Sequence, residues 1–207
     1  MCEERRRIPA CSNVVNREAP DDPEAALLRT GRKIEAIKPL ILSTARLTVR
    51  ELTRDDAAFI LTLLNDPAFL EHIGDRGVRT VEDAANYIAG GPRASYAEHG
   101  FGLWLVELID GAAPIGICGV LKRDTLPDPD IGFAFLPAYR SRGYAFEAAG
   151  AVRDFARDAL RLPRLLAIVS PRNSASIRLL ERLAFAFERT LVMPGDTKEV
   201  RLYAARL

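Results

Sequence analysis

The spacing of hydrophobic residues along this chain switches between a period of two and a period near 3.6, which predicts strands and helices in alternation. Leu47 and Val49 alternate with polar neighbours over residues 46–52, the pattern of a half-buried strand. Thr53-Arg54-Asp55-Asp56 then offers a hydroxyl cap and first-turn acids, and Ala57, Ile60, Leu61 and Leu64 keep helical spacing as far as Asp66-Pro67. Thr80-Val81-Glu82-Asp83 repeats the device, with Ala84, Tyr87 and Ile88 as the inner stripe and Gly90-Gly91-Pro92 as the expected stop. Residues 102–108 and 115–121 are apolar runs around Asp110-Gly111, a hairpin signal.

After a proline-containing loop over residues 122–130, the run 131–136 is apolar on both faces, which places a strand in the middle of a sheet. Ala149, Val152, Ala156 and Ala159 then line one helix face up to Pro163. Residues 165–169 read as a short buried strand, and 173–183 as a helix with Ile177, Leu180 and Ala184 inward. Residues 185–191 and 199–204 read as two further strands. The order predicts an α/β fold with a mixed sheet flanked by helices, not a doubly wound nucleotide fold. Residues 1–40, with Pro9, Pro20, Pro23 and Pro39 among charges and one helical candidate at 24–37, read as a poorly ordered extension ahead of a domain at 41–207.

Composition narrows the classes. The chain has 207 residues, 48% of them hydrophobic, enough for one full core. Lys+Arg 29 against Asp+Glu 28 leaves a formal charge of +1, which makes no overall case for nucleic acid or an anionic membrane as partner. Cys2, Cys11 and Cys118 form no disulfide framework or metal-ligand spacing, so no metal is expected and a reducing cytoplasm is the default location. Neither a signal-peptide h-region nor an apolar run of spanning length is present in the sequence.

Chemistry concentrates where the central strand meets the next helix. The stretch Phe135-Leu136-Pro137 followed by Arg140-Ser141-Arg142-Gly143-Tyr144-Ala145 runs a strand through a small-residue turn into a helix. Backbone N–H groups at a helix start lack intrahelical partners and the macrodipole is positive there, so a pyrophosphate could be held by main chain alone if side chains stay out. Gly143 and Ala145 leave that approach open. The P-loop Lys-Ser/Thr pair and the Gly-x-Gly-x-x-Gly dinucleotide pattern are both absent.

This Arg140-x-x-Gly143-x-Ala145 block, with Asn173-x-x-Ser176-x-x-Leu179 and Leu183-Ala184-Phe185 downstream, resembles the GCN5-related N-acetyltransferase (GNAT) family, in the branch of the ribosomal-protein alanine N-acetyltransferases. The resemblance covers roughly residues 42–207. It implies a mostly antiparallel sheet of about six to seven strands, splayed between the strands ending at Leu136 and Val169 to admit the pantetheine arm of acetyl-CoA. It further implies direct acetyl transfer from acetyl-CoA to a primary amine, a protein N-terminal α-amine or a small molecule, while the oligomeric state, monomer or homodimer, stays open. Phe135, Leu136, Arg140, Ser141, Arg142, Gly143, Tyr144, Ala145, Asn173 and Ser176 are the implied cofactor contacts, with a backbone N–H near Phe135 or Leu136 polarising the thioester.

Ser176 is the candidate proton donor to the departing thiolate, and Asp130 or Glu107 the candidate base. Arg172 and Arg178 are further phosphate candidates. Asp75, Glu98 and Asp130 are candidates to attract a cationic amine. His72 and His99 read as structural or substrate-loop residues, and Cys118 as a buried small hydrophobe. Ala184 stands where the family commonly has glycine, so a positive φ there would be strained. A second reading keeps the fold as a non-catalytic acyl-CoA-binding or protein-interaction module.

Overall fold

A computed structural model describes residues 40–195 and 197–207; the sequence-based extension and its helical candidate lie outside them except for Leu40. Among the described residues, eight strands form one sheet in the order β1-β2-β3-β4-β5-β6-β8-β7. They are β1 (Leu40–Ser43), β2 (Leu47–Arg50), β3 (Leu103–Leu108), β4 (Pro114–Leu121), β5 (Asp130–Phe135), β6 (Arg164–Val169), β7 (Ala186–Val192) and β8 (Glu199–Arg206). The strand count is therefore higher than the six to seven expected. The addition is β1, whose Leu40-Ile41-Leu42-Ser43 is a run too short to show a period, and pairing with β2 defines it.

Neighbouring strands are antiparallel throughout except at β5 and β6, which run parallel. α5 (Tyr144–Asp158) and α6 (Ser174–Arg182) cover one face, where Ala149 and Val152 pack with Trp104, Cys118 and Ile131. Trp104 meets Phe155 of α5 edge-on, with ring centroids 5.4 Å apart. The opposite face carries α1 (Ala57–Leu64), α2 (Pro67–His72) and α3 (Val81–Ile88), whose Ile60, Leu64 and Ile88 pack on Leu105 and Ile117, while α4 (Ala94–His99) sets Tyr96 against the cluster that includes Trp104.

The helical punctuation differs from expectation at two places. Asp66-Pro67 ends α1 but also starts α2, because the Asp66 carboxylate accepts from the N–H groups of Ala68 and Phe69 and Pro67 occupies a first-turn position that needs no donor. Gly90-Gly91-Pro92 does not stop the second helical segment. The chain widens into a π turn over Ala89–Arg93, which accommodates the missing proline N–H, and continues as α4 to Gly100 at φ 75°.

Ala184 follows α6 at φ 63° and is exposed, so it does not point inward as its spacing implied. The left-handed region crowds an L side chain, and Ala184 occupies it to turn the chain from α6 into β7. Ala184→Gly is expected to stabilise the protein by about 0.5–1 kcal/mol, read as a higher urea midpoint at unchanged slope.

Candidate active site

β5 and β6 share only one residue pair, Asp130 with Leu166, and then separate. Strand alternation decides what that separation exposes. The Leu136 N–H donates to Ile115 O at 3.0 Å, so even-numbered residues of β5 turn their backbone groups toward β4. Odd-numbered residues therefore face β6, and beyond Ile131 they face the gap. Of the two amides expected to polarise a thioester, Leu136 is engaged in the sheet and Phe135 points into the gap.

Arg140 completes this edge. Its Nε donates to Phe135 O at 2.8 Å, and its Nη2 pairs with the Asp66 carboxylate that caps α2. The guanidinium thus covers the gap-facing acceptor of Phe135 and leaves the donor. It ties the end of β5 to α2 instead of extending toward the helix start.

Because β5 and β6 are parallel, their C-terminal ends lie on the same side, and α5 and α6 follow them. At α5 the turn is set by Ser141 at φ 60° and Gly143 at φ 81°. No backbone N–H from Ser141 to Phe146 has an acceptor among the described residues, and the first intrahelical bond here runs from Glu147 N–H to Gly143 O at 3.0 Å. Such a run of donors at a helix start is an anion-binding geometry.

Arg46, which pattern reading assigned only to a strand, flanks this turn. Its Nη1 donates to Arg142 O at 3.2 Å, its Nε to Glu147 Oε2 at 2.7 Å, and its guanidinium carbon lies 4.5 Å from the Tyr144 ring centroid. Glu147 also accepts from Thr44 Oγ1 at 2.6 Å. Burial works against ionisation of Glu147, but Thr44 and Arg46 outweigh it and hold its carboxyl below the ordinary value. Arg46 thereby offsets a carboxylate that would repel an anion from the α5 start. The contact crosses about a hundred residues of sequence, so no local spacing signals it.

At α6, Asn173 acts as an N-cap, its Oδ1 accepting from Ser176 N–H at 3.0 Å. The Ser176 hydroxyl has no hydrogen-bond partner among the described residues, and neither do the exposed Arg172 and Arg178 side chains.

The candidate bases occupy different settings. Glu107 Oε1 lies 2.6 Å from Arg50 Nη2, and Arg50 also forms two 2.8 Å bonds to Asp56. This triad joins β2, β3 and the start of α1. Asp130 is 1% exposed at the start of β5, with Oδ1 accepting from Arg123 Nε at 2.8 Å. Burial pushes its carboxyl up and Arg123 pulls against that rise. His72 ends α2, His99 ends α4 beside Phe101, and Cys118 is fully buried beneath α5, which pushes its thiol far up.

The sequence matches the model of the acetyltransferase (GNAT) domain over residues 46–186, and the chain belongs to this family. It is an N-acetyltransferase. It is 30% identical to the uncharacterised N-acetyltransferase YoaA of Bacillus subtilis (strain 168) over 152 residues, 73% of this chain and 85% of that one. The crystal structure of an acetyltransferase from Agrobacterium tumefaciens aligns with TM-score 0.70 and 26% identity, covering 85% of this chain and 99% of that one. The same fold occurs in RimL, the ribosomal L7/L12 alpha-N-protein acetyltransferase, at TM-score 0.70 and 16% identity over 81% of this chain and 98% of that one.

Burial also opposes the charge of Asp56, but Arg50 and Thr53 overcome it and hold its carboxyl below the usual range. A depressed carboxyl contributes stability above its unfolded value, near pH 4, and that contribution is lost as pH falls through the folded value. Asp56→Asn is expected to cost about 3–5 kcal/mol by leaving Arg50 partly uncompensated, and to flatten the acid side of the stability profile in urea titrations below pH 5.

Proposed function

We propose that this protein transfers the acetyl group of acetyl-CoA directly to a primary amine, and that residues 41–207 form the catalytic unit. The observation that carries the reading is the parting of β5 and β6 after one residue pair, with the unpartnered amides of the α5 start at the same end. RimL, which shares the fold, is described in complex with coenzyme A. The strand edge and the helix start fit a pantetheine arm and a pyrophosphate respectively, since both present backbone donors. Acetyl-CoA supplies an activated acyl carbon and a thiolate leaving group.

In this reading Ser141, Arg142, Gly143, Tyr144 and Ala145 hold the diphosphate through their amides, and Arg46 and Tyr144 form its flank. Phe135 N–H donates to the thioester oxygen as negative charge develops there. Leu136 and Arg140 act by position: one anchors β5 to β4, the other covers Phe135 O. Asn173 holds the first turn of α6, which presents the Ser176 hydroxyl as proton donor to the thiolate. Asp130 receives the amine's proton through solvent, because its carboxylate is buried under Arg123. Glu107 is engaged with Arg50 and serves the scaffold. Direct attack is favoured over an acyl-enzyme because Cys118 is enclosed beneath α5 with its thiol held protonated.

Acetyl-CoA at a hundred times its Kd is expected to stabilise the protein by about 2.7 kcal/mol, a rise in Tm of about 5–10 °C. Absence of a shift at saturation would overturn the reading. In Gly143→Val a branched side chain must occupy φ 81°, and its Cβ lies 3.4 Å from Arg46 Nη2, so cofactor affinity should fall at least about tenfold in calorimetry. Ser176→Ala should lower kcat by about a hundredfold while leaving acetyl-CoA affinity within about threefold. An unchanged kcat would remove Ser176 from the proton path. Acetyl-CoA binding without turnover on any amine would favour the non-catalytic module.

A further inference from the structure

A cavity of about 220 Å³ opens on the helical face of the sheet opposite α5, between β3, β4 and β5 below and α2 and α3 above. Its walls are largely apolar, with Phe69 and Tyr87 facing Ile117 and Gly132. Gly132, Phe133 and Ala134 line it, and the same stretch of β5 edges the gap toward β6. An acceptor held here lies beside the strand that presents Phe135 N–H. The volume is below the roughly 300–1,000 Å³ of pockets for drug-sized ligands.

The charges around this cavity reverse the expectation of a cation-attracting acidic site. Asp75 pairs with Arg79 and accepts from Gly77 N–H at 2.8 Å, so its carboxylate serves its own loop. Glu98 belongs to α4, with its oxygen 3.9 Å from His99 Nε2, and does not line the cavity. Asp130 is covered by Arg123. The charged side chains that do line the cavity are two arginines, Arg76 and Arg123. Arg76 has no carboxylate partner among the described residues, and Arg123 engages Asp130 through Nε alone, which leaves both of its Nη groups for another acceptor. Both guanidiniums act on the Tyr87 hydroxyl, which is itself pushed up by burial.

We propose that this cavity selects an acceptor amine bearing a compact anionic group, a carboxylate or a phosphoryl, next to a small apolar side chain: a free α-amino acid or its phosphonate analogue, not a polyamine. The proposal rests on the acetyl-transfer reading of the same site. Arg76 and the Arg123 Nη groups hold the anion, and Phe69, Ile117 and Tyr87 take the apolar side chain. Two cations nearby also favour the neutral form of the amine, which is the form that attacks. The nitrogen lone pair forms the C–N bond as the C–S bond breaks, the amine's surplus proton passes through solvent to Asp130, and the thiolate takes the Ser176 hydroxyl proton as a solvent proton replaces it, so that return of the Asp130 proton to solvent leaves the protein's charge unchanged.

The test compares kcat/KM at saturating acetyl-CoA for free leucine and methionine, 1-amino-3-methylbutylphosphonate, leucinamide and methioninamide, spermidine, and an alanine-initiated peptide. In parallel, calorimetry measures acetyl-CoA binding without acceptor. The acids are expected to exceed their amides by at least tenfold, and the carboxylate and phosphonate arms identify which anion is preferred. Arg76→Gln, at an exposed side chain with no hydrogen bond or ion pair among the described residues, should abolish that ratio through KM and leave acetyl-CoA affinity unchanged. Amides, spermidine or the peptide serving as well as the acids, or an Arg76→Gln ratio equal to the parent's, would overturn the proposal. If acetyl-CoA binds normally in that case, the acetyl-transfer reading survives; if it does not bind, both fall.

Discussion

Everything in the site follows from the parting of two parallel strands. β5 and β6 keep one residue pair, at Asp130 and Leu166, and diverge where a regular sheet would continue. Backbone groups on a strand edge require partners, and separation leaves Phe133 and Phe135 facing open space at the centre of an eight-stranded sheet. Arg140 covers the Phe135 carbonyl, so that edge offers a donor without its neighbouring acceptor. The parallel pairing puts α5 and α6 at the same end, and the amides of the α5 start stand beside the opening. A substrate with a chain of amides, a diphosphate and a polarisable carbonyl matches that arrangement at three points.

The charged residues sort by whether the fold has already used them. Asp56 and Glu107 converge on Arg50, and this buried triad fixes how β2, β3 and α1 meet. Asp66 caps α2 and also receives Arg140, so a helix start and the strand edge are held by one carboxylate. Glu147 would oppose an anion at the first turn of α5, and Arg46 offsets it from across the sheet. Asp130 differs because burial works against its charge and a single arginine contact offsets only part of that effect. In the cavity between α2, α3 and the sheet, the same accounting leaves Arg76 without a carboxylate partner among the described residues, which gives the cavity a positive character that the near-neutral composition does not suggest.

Much of the fold was legible in the chain itself. The hairpin at Asp110-Gly111, the capping box at Thr80, the position of β5 in the middle of the sheet and the two helices after β5 and β6 follow from spacing and turn chemistry. β1 was not legible because four residues carry no periodicity of their own. The continuation of helix past Gly90-Gly91-Pro92 was hidden because a π turn spends an extra residue to absorb the proline, and packing of the flanking segments, not local propensity, decides that. Asn173 could be placed at a helix start, and its bond to Ser176 N–H is what such a position dictates.

By itself the sequence determined the order of elements, the strand-turn-helix at Gly143, and the family motifs at Arg140 and Asn173, because these depend on neighbours within a few residues. Only the tertiary structure decided which amide faces the gap, since that depends on the register of β5 against β4. It also decided which acids are already paired, since Arg50, Arg46 and Arg123 reach their partners through contacts made across the fold. The charge lining the cavity between α2, α3 and the sheet belongs to this second group: net charge sums over residues, whereas a cavity feels only the few groups that folding leaves beside it.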